Sequence, residues 1–375
     1  MTVSLSYKNT INECPRLRTL LAFPVAGMLT MLGTATAFGI SIDTVTIGGP
    51  GNAGDFSVNM QYDGGTTGYG SVPYTYEIGK TEVTSGQYAE FLNAVAKTAD
   101  PYGLYNEGMD KNNDSLGCGI TRSDSEGVYT YTATETLKPV NFVSIYDAMR
   151  FTNWLTNGAI DGADTETGVY TLSGGSAPPS NLTVERNLEE NGATLTGTGS
   201  LAGVSGTVWA LPSENEWYKA AYYSVANSSY SLYANGSSII TGAEANYYDY
   251  KGGPYEPEDV GGYDPEQNGT NDMMGSLWEW NDSLIMNWDG SDINARGLRG
   301  GAFNYADARL ASSGRNSSSG DVENSHIGFR VVALSSLAAI PEAATSSLTA
   351  GFLMMMLVFW KRRGRRPARQ SGYPR

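Results

Sequence analysis

The amino-acid sequence predicts a loop-rich body in which short strands are interrupted by a few helices. Composition is the first reason: 375 residues include 46 glycines and 24 tyrosines, and 40% of the chain is hydrophobic. That balance favours ordered loops over long regular elements. The second is that the signature of a capped amphipathic helix occurs in three places. The third is a tryptophan pair two residues apart, Trp278 and Trp280, spaced as on one face of an extended segment. The length leaves room for one large domain with appendages, or for two modest ones.

Residues 38–72 mix a β-prone segment, Ile42 to Ile47, with Gly-rich turns and read as an amino-terminal extension. The first helix follows, where Thr84 and Gln87 form a capping box and Tyr88, Phe91, Leu92 and Val95 fall at i, i+3, i+4 and i+7. A second starts at Ser144, with Asp147 three residues on, and presents Phe151, Trp154 and Leu155. A third starts at Ser213 with Glu216 as reciprocal cap, ahead of Trp217, Ala220 and Ala221. Asp110, Asn112 and Asp114 hold positions one, three and five of a calcium loop, but Ser115 and Thr121 stand where an EF-hand needs glycine and glutamate, which excludes it. Residues 161–207 read as a surface excursion, and the Tyr, Gly, Asn and Asp of 226–270 suit long ordered loops.

Charge is unevenly placed. Residues 1–37 carry +2 and residues 361–375 carry +7 against a whole-chain charge of −15, which leaves the stretch between them near −24. Such a surface repels phosphate backbones and attracts cations, so nucleic acid is not an expected partner. One histidine, His326, cannot form a His cluster for zinc, copper or non-haem iron. Of two cysteines, Cys14 lies in the leader, leaving Cys118 without an internal disulfide partner.

The ends read as sorting signals. Arg16 and Arg18 precede an apolar run from Leu20 to Leu32, and Ala35-Thr36-Ala37 offers a signal-peptidase site, so 1–37 is expected to be a signal peptide. Residues 335–345 form a linker, 346–360 the body of a transmembrane helix and 361–375 a basic cytoplasmic tail. The apolar run from Ala343 to Trp360 spans about 27 Å as a helix. The basic cluster beyond it holds that end inside and places the body across the inner membrane, in the envelope or on the outer surface. Pro341-Glu342, one apolar helix and a terminal arginine cluster resemble the PEP-CTERM sorting signal of bacterial envelope proteins, with Ala343 where that signal has a second proline. The resemblance implies exosortase-type sorting machinery as a partner.

The stretch Asn271 to Trp280 is the strongest site candidate. Asp272 and Glu279 supply anionic oxygens, and a tight turn at Gly275 can aim the intervening carbonyls at one point, as calcium sites do. The competing reading is a core strand whose acidic residues face solvent or pair with arginines.

Tyr76 to Thr84, Pro139 to Ser144, Leu211 to Trp217, Gly275 to Trp280, Arg299-Gly300-Gly301 and Ile327 to Arg330, in that order, resemble the sulfatase-modifying-factor family, which includes the formylglycine-generating enzyme. The resemblance covers 73–334 and implies a single α+β domain, loop-rich and related to the C-type lectins. It implies a calcium site on the Asp272 side chain, the Gly275 and Leu277 carbonyls and the Glu279 carboxylate, with Ser276 where the family has asparagine. The two thiolates of the copper-dependent oxidase would fall near Tyr305 and Leu310, neither of which binds Cu(I), so no copper is expected. The family's cleft would lie by Asn304, Tyr305, Asp307, Arg309 and Arg315, candidates for binding a polar ligand. The expected function is therefore a calcium-stabilised, ligand-binding or structural module at the cell surface, its ligand a glycan, peptide or matrix component. The alternative is an oxidoreductase of the same family with a different catalytic set, Tyr305 and Asp307 serving as acid and base.

Overall fold

Each helix begins where its cap predicts. Thr84, Ser144 and Ser213 sit in extended backbone and accept from the amide three residues on, while Gln87, Asp147 and Glu216 accept back from the cap amide. The helices α1 (Ser85–Val95), α2 (Ile145–Thr156) and α3 (Glu214–Tyr222) thus have first-turn amides satisfied from within their own sequence. The computed structural model describes residues 40–58, 67–173, 183–191, 194–197, 201, 206–249, 253, 255–285 and 295–334. All of these fall in one unit, Gly39–Arg375. The signal peptide expected at 1–37 and the linker, membrane helix and tail expected at 335–375 lie outside the described residues. Among the described residues no helix is long and apolar enough to cross a membrane.

In chain order the strands are β1 (Thr44–Ile47), β2 (Tyr76–Gly79), β3 (Ile120–Ser125), β4 (Val128–Ala133), β5 (Tyr170–Ser173), β6 (Thr183–Arg186), β7 (Leu188–Asn191), β8 (Thr194–Gly197), β9 (Val208–Ala210), β10 (Tyr223–Ser224), β11 (Ser229–Tyr230), β12 (Trp278–Leu284), β13 (Arg296–Arg299), β14 (Asn316–Ser318), β15 (Ile327–Gly328) and β16 (Val332–Leu334). Two four-stranded sheets carry the architecture. One is antiparallel in the order β1-β2-β16-β9, so Val45 and Val332 both pair with Ile78 from opposite sides. The other runs β14-β13-β12-β15, with β12 and β15 parallel. The rest are hairpins. β3 and β4 are joined by Glu126 at φ 55° and Gly127 at φ 81°, two left-handed residues whose twist suits a two-residue hairpin turn.

Burial fixes the remainder. In α2 every residue from Ile145 to Leu155 is buried, because the helix is covered on all sides rather than along one stripe. Tyr88, Phe91, Phe151, Trp154 and Phe329 pack ring against ring at 5.3–6.0 Å between centroids, tying α1, α2 and the segment after β15 into one aromatic core. The β3–β4 hairpin is pinned to α1 by Asn93, which donates to Tyr131 O and accepts from Tyr131 N. Residues expected as an extension are built into this fold. β1 pairs with β2, Asn52 donates to Tyr230 Oη at 2.7 Å, and Tyr218 Oη donates to Asp55 at 2.8 Å.

Candidate functional site

The turn before β12 is set by backbone that few side chains tolerate. Asp272, Gly275 and Ser276 all lie in the left-handed region, at φ 61°, 81° and 47°. At Gly275 a Cβ would stand 2.0 Å from Asn246 O, so glycine is required by space as well as by φ. Ser276 N donates to Asn246 O and Phe303 N to Ser276 O, which fastens the turn to two distant loops. Asp272 Oδ2 accepts from Gly261 N at 2.6 Å.

β12 is buried on both faces, where one core face was expected. Trp278 and Trp280 point one way, Glu279 and Asn281 the other, and all four are fully buried. A buried carboxylate needs partners, and Glu279 has them. Arg330 donates from Nε to Oε2 and from Nη2 to Oε1, each at 2.6 Å, and Trp217 Nε1 donates to Oε2 at 2.8 Å. Three of about four acceptor sites on the carboxylate are thereby filled. Burial alone would lower the Arg330 pKa, but the charge and hydrogen bonds of Glu279 more than offset it and hold the guanidinium higher than usual.

More acid is buried around this pair than Arg330 can balance. Glu82 is 1% exposed, and neither carboxylate oxygen has a hydrogen-bond partner. Burial first, then the charges of Asp272 and Glu279, push its pKa well above the usual carboxylate range. Burial also raises Asp272, and it takes Glu266, which accepts from Thr270 Oγ1, to about 8. Among the described residues, however, no three His, Cys, Asp or Glu side chains converge closely enough to hold a metal by themselves.

A second buried ion cluster sits at the start of α3. Glu214 takes Arg299 at 2.6–2.8 Å and Arg315 at 2.6–2.7 Å, and both guanidinium groups also stack over Tyr69. Arg315 is therefore committed to Glu214 and is 7% exposed. Asn304 and Asp307 are exposed, and Tyr305 and Arg309 half-buried, on one loop between β13 and β14. The Tyr305 ring packs edge-on against Trp278 at 5.5 Å and lies 5.6 Å from the His326 ring, where burial lowers the histidine pKa. Leu310 is fully buried. Cys118 is buried elsewhere in the core, its thiol pushed up to about 11 by desolvation. Beside β10 and β11 a cavity of about 300 Å³ is lined by serines with Asn227, Tyr230, Leu232 and Gln267, and by no charged side chain.

Sequence reasoning found the turn and Glu279, and allowed for arginine pairing there without naming Arg330, but gave no role to Glu82. Both Glu82 and Arg330 stand inside motifs quoted above, at Tyr76 to Thr84 and Ile327 to Arg330. A charged residue within an apolar or strand-like motif was the available signal for each.

The profile of the sulfatase-modifying factor enzyme 1-like domain matches residues 51–334. Among solved structures, the crystal structure of CarF is 20% identical, covering 78% of this chain and 98% of its own, with a TM-score of 0.46. The Treponema denticola variable protein 1 is 18% identical over 79% of this chain and 96% of its own, at 0.45. PvdO from Pseudomonas aeruginosa is 18% identical over 79% and 92%, at 0.44. No curated protein matches the chain.

Proposed function

Because the chain belongs to the sulfatase-modifying factor enzyme 1-like family, we propose that it is an exported, envelope-sorted member that binds a polar ligand instead of carrying out the family's copper chemistry. The reading rests on the resemblance set out above, which puts the two copper thiolates near Tyr305 and Leu310, and neither side chain is a ligand for Cu(I). Cys118 offers no substitute, since a buried thiol with a raised pKa is a poor source of thiolate. The ligand is a glycan, peptide or matrix component. Asn304, Tyr305, Asp307 and Arg309 present amide, phenol, carboxylate and guanidinium on one loop, and the neutral, hydroxyl-lined cavity beside β10 and β11 suits an uncharged polar group.

Calcium fits the turn electrostatically. The unpartnered Glu82 carboxylate and the excess of acid around Arg330 are what a hard cation would balance. Asp272, the Gly275 and Leu277 carbonyls and the remaining acceptor site of Glu279 would hold it. Its contribution would be to the rigidity of the turn. Sorting by a PEP-CTERM-like tail would deliver the module to the envelope.

Binding of the full-length chain to glycan and peptide arrays, with calcium present, tests the reading. Selective signal above background, reduced at least about tenfold by Tyr305→Ala, is expected. An array with no signal, together with oxygen consumption on cysteine peptides with added copper, would favour the oxidoreductase alternative.

A further inference from the structure

We propose that Glu82 is an additional ligand of a divalent cation held at the Asp272 turn, an inference that rests on the calcium reading above. Its position follows from the backbone on either side of it. Lys80 O accepts from Asn271 N at 2.7 Å, and Val83 N donates to Phe329 O at 2.9 Å. Glu82 is thereby clamped between the residue preceding Asp272 and the residue preceding Arg330. A Cβ at Gly261, whose amide donates to Asp272, would meet the neighbouring Thr81 side chain at 4.0 Å.

Arg330 cannot serve Glu82. A guanidinium has five N–H groups, and five acceptors are already placed on this one: Glu279 Oε1 and Oε2, Asn271 O, Gly79 O and Lys80 O. No arginine proton is left over. Glu82 therefore lies buried with both oxygens unused, and of the charged groups around it Asp272 presses hardest. A buried carboxylate with no counter-charge is costly, and it is relieved either by taking up a proton or by taking a cation in the proton's place. Calcium removes that cost by taking carboxylate and carbonyl oxygens together. Since no three acidic side chains converge among the described residues, the site uses Glu82 and Asp272 as its anionic pair and completes its shell with backbone carbonyls and water.

The test is thermal unfolding of the full-length chain, as wild type, Glu82→Gln and Asp272→Asn, in EDTA and in saturating calcium chloride. Terbium luminescence sensitised by the nearby tryptophans provides a direct readout of ion binding. The wild type is expected to melt higher in calcium. Glu82→Gln should melt no lower than the wild type in EDTA, yet lose most of the calcium-induced rise and at least about tenfold in terbium affinity. Glu82→Asp, which keeps the charge on a shorter arm, should lose less. If Glu82→Gln keeps the full rise while Asp272→Asn loses it, the ion sits at the turn without Glu82, and this inference fails while the calcium reading stands. If the wild type itself responds to neither ion, both fail. A Glu82→Gln protein that does not fold even in EDTA also overturns the inference, because the carboxylate would then be needed without any cation.

Discussion

Glu279 and Arg330 are each fully buried and face one another across β12 and the segment leading into β16. A bidentate pair of this kind is expensive to halve. Replacing Arg330 by methionine leaves the Glu279 charge with Trp217 Nε1 as its sole remaining donor, and the expected loss is about 3–5 kcal/mol of unfolding free energy. Adding Glu279→Gln to the same chain should recover part of that loss, because the stranded charge is gone. Urea unfolding of the two variants, compared as a double-mutant cycle, measures the difference. At this scale the sequence was half legible. The acid at 279, the glycine at 275 and the flanking tryptophans announce themselves within ten residues. Arg330 is 51 positions away and Trp217 is 62, so spacing could not join them to Glu279. Arg315 shows the converse: grouped by sequence with the loop 304–309, it is drawn by Glu214 into the core.

Helices were the most readable elements, since a cap and its reciprocal residue lie within one turn. Strands were the least. Most are two to four residues long, too short for alternation to show, and some are made by pairing with strands more than a hundred residues off, as β2 and β9 are with β16. The cap of α2 also carries a titration. Asp147 accepts from Ser144 N and Oγ, yet burial raises its pKa from 3.8 to about 7. A carboxyl whose folded pKa is raised binds its proton more tightly in the native state. Its contribution to stability is therefore full below about pH 4 and is lost as pH rises toward 7. Asp147→Asn keeps an acceptor for the Ser144 amide without a charge, and should flatten the dependence of unfolding free energy on pH between 4 and 7. Denaturant titrations across that window check it.

Across the whole molecule the acidic surplus between the two basic ends sets the response to salt. Like charges spread over the surface repel, and ions screen that repulsion over roughly 10 Å at 0.1 M. The midpoint of thermal unfolding in EDTA should accordingly rise as sodium chloride goes from low to physiological concentration. A flat or falling midpoint would mean that local ion pairs outweigh the general repulsion. The family relationship was legible at this scale although the sheet order was not, because six short motifs in a fixed sequence survive where pairing geometry leaves no local trace.

β16 lies between β2 and β9 and hands the chain on at Leu334. A pull applied at Leu334 along β16 would load an interior strand, so two ladders of hydrogen bonds would have to slide together instead of unzipping singly. The load would be shared between Glu77 and Ile78 on one side and Val208 to Ala210 on the other.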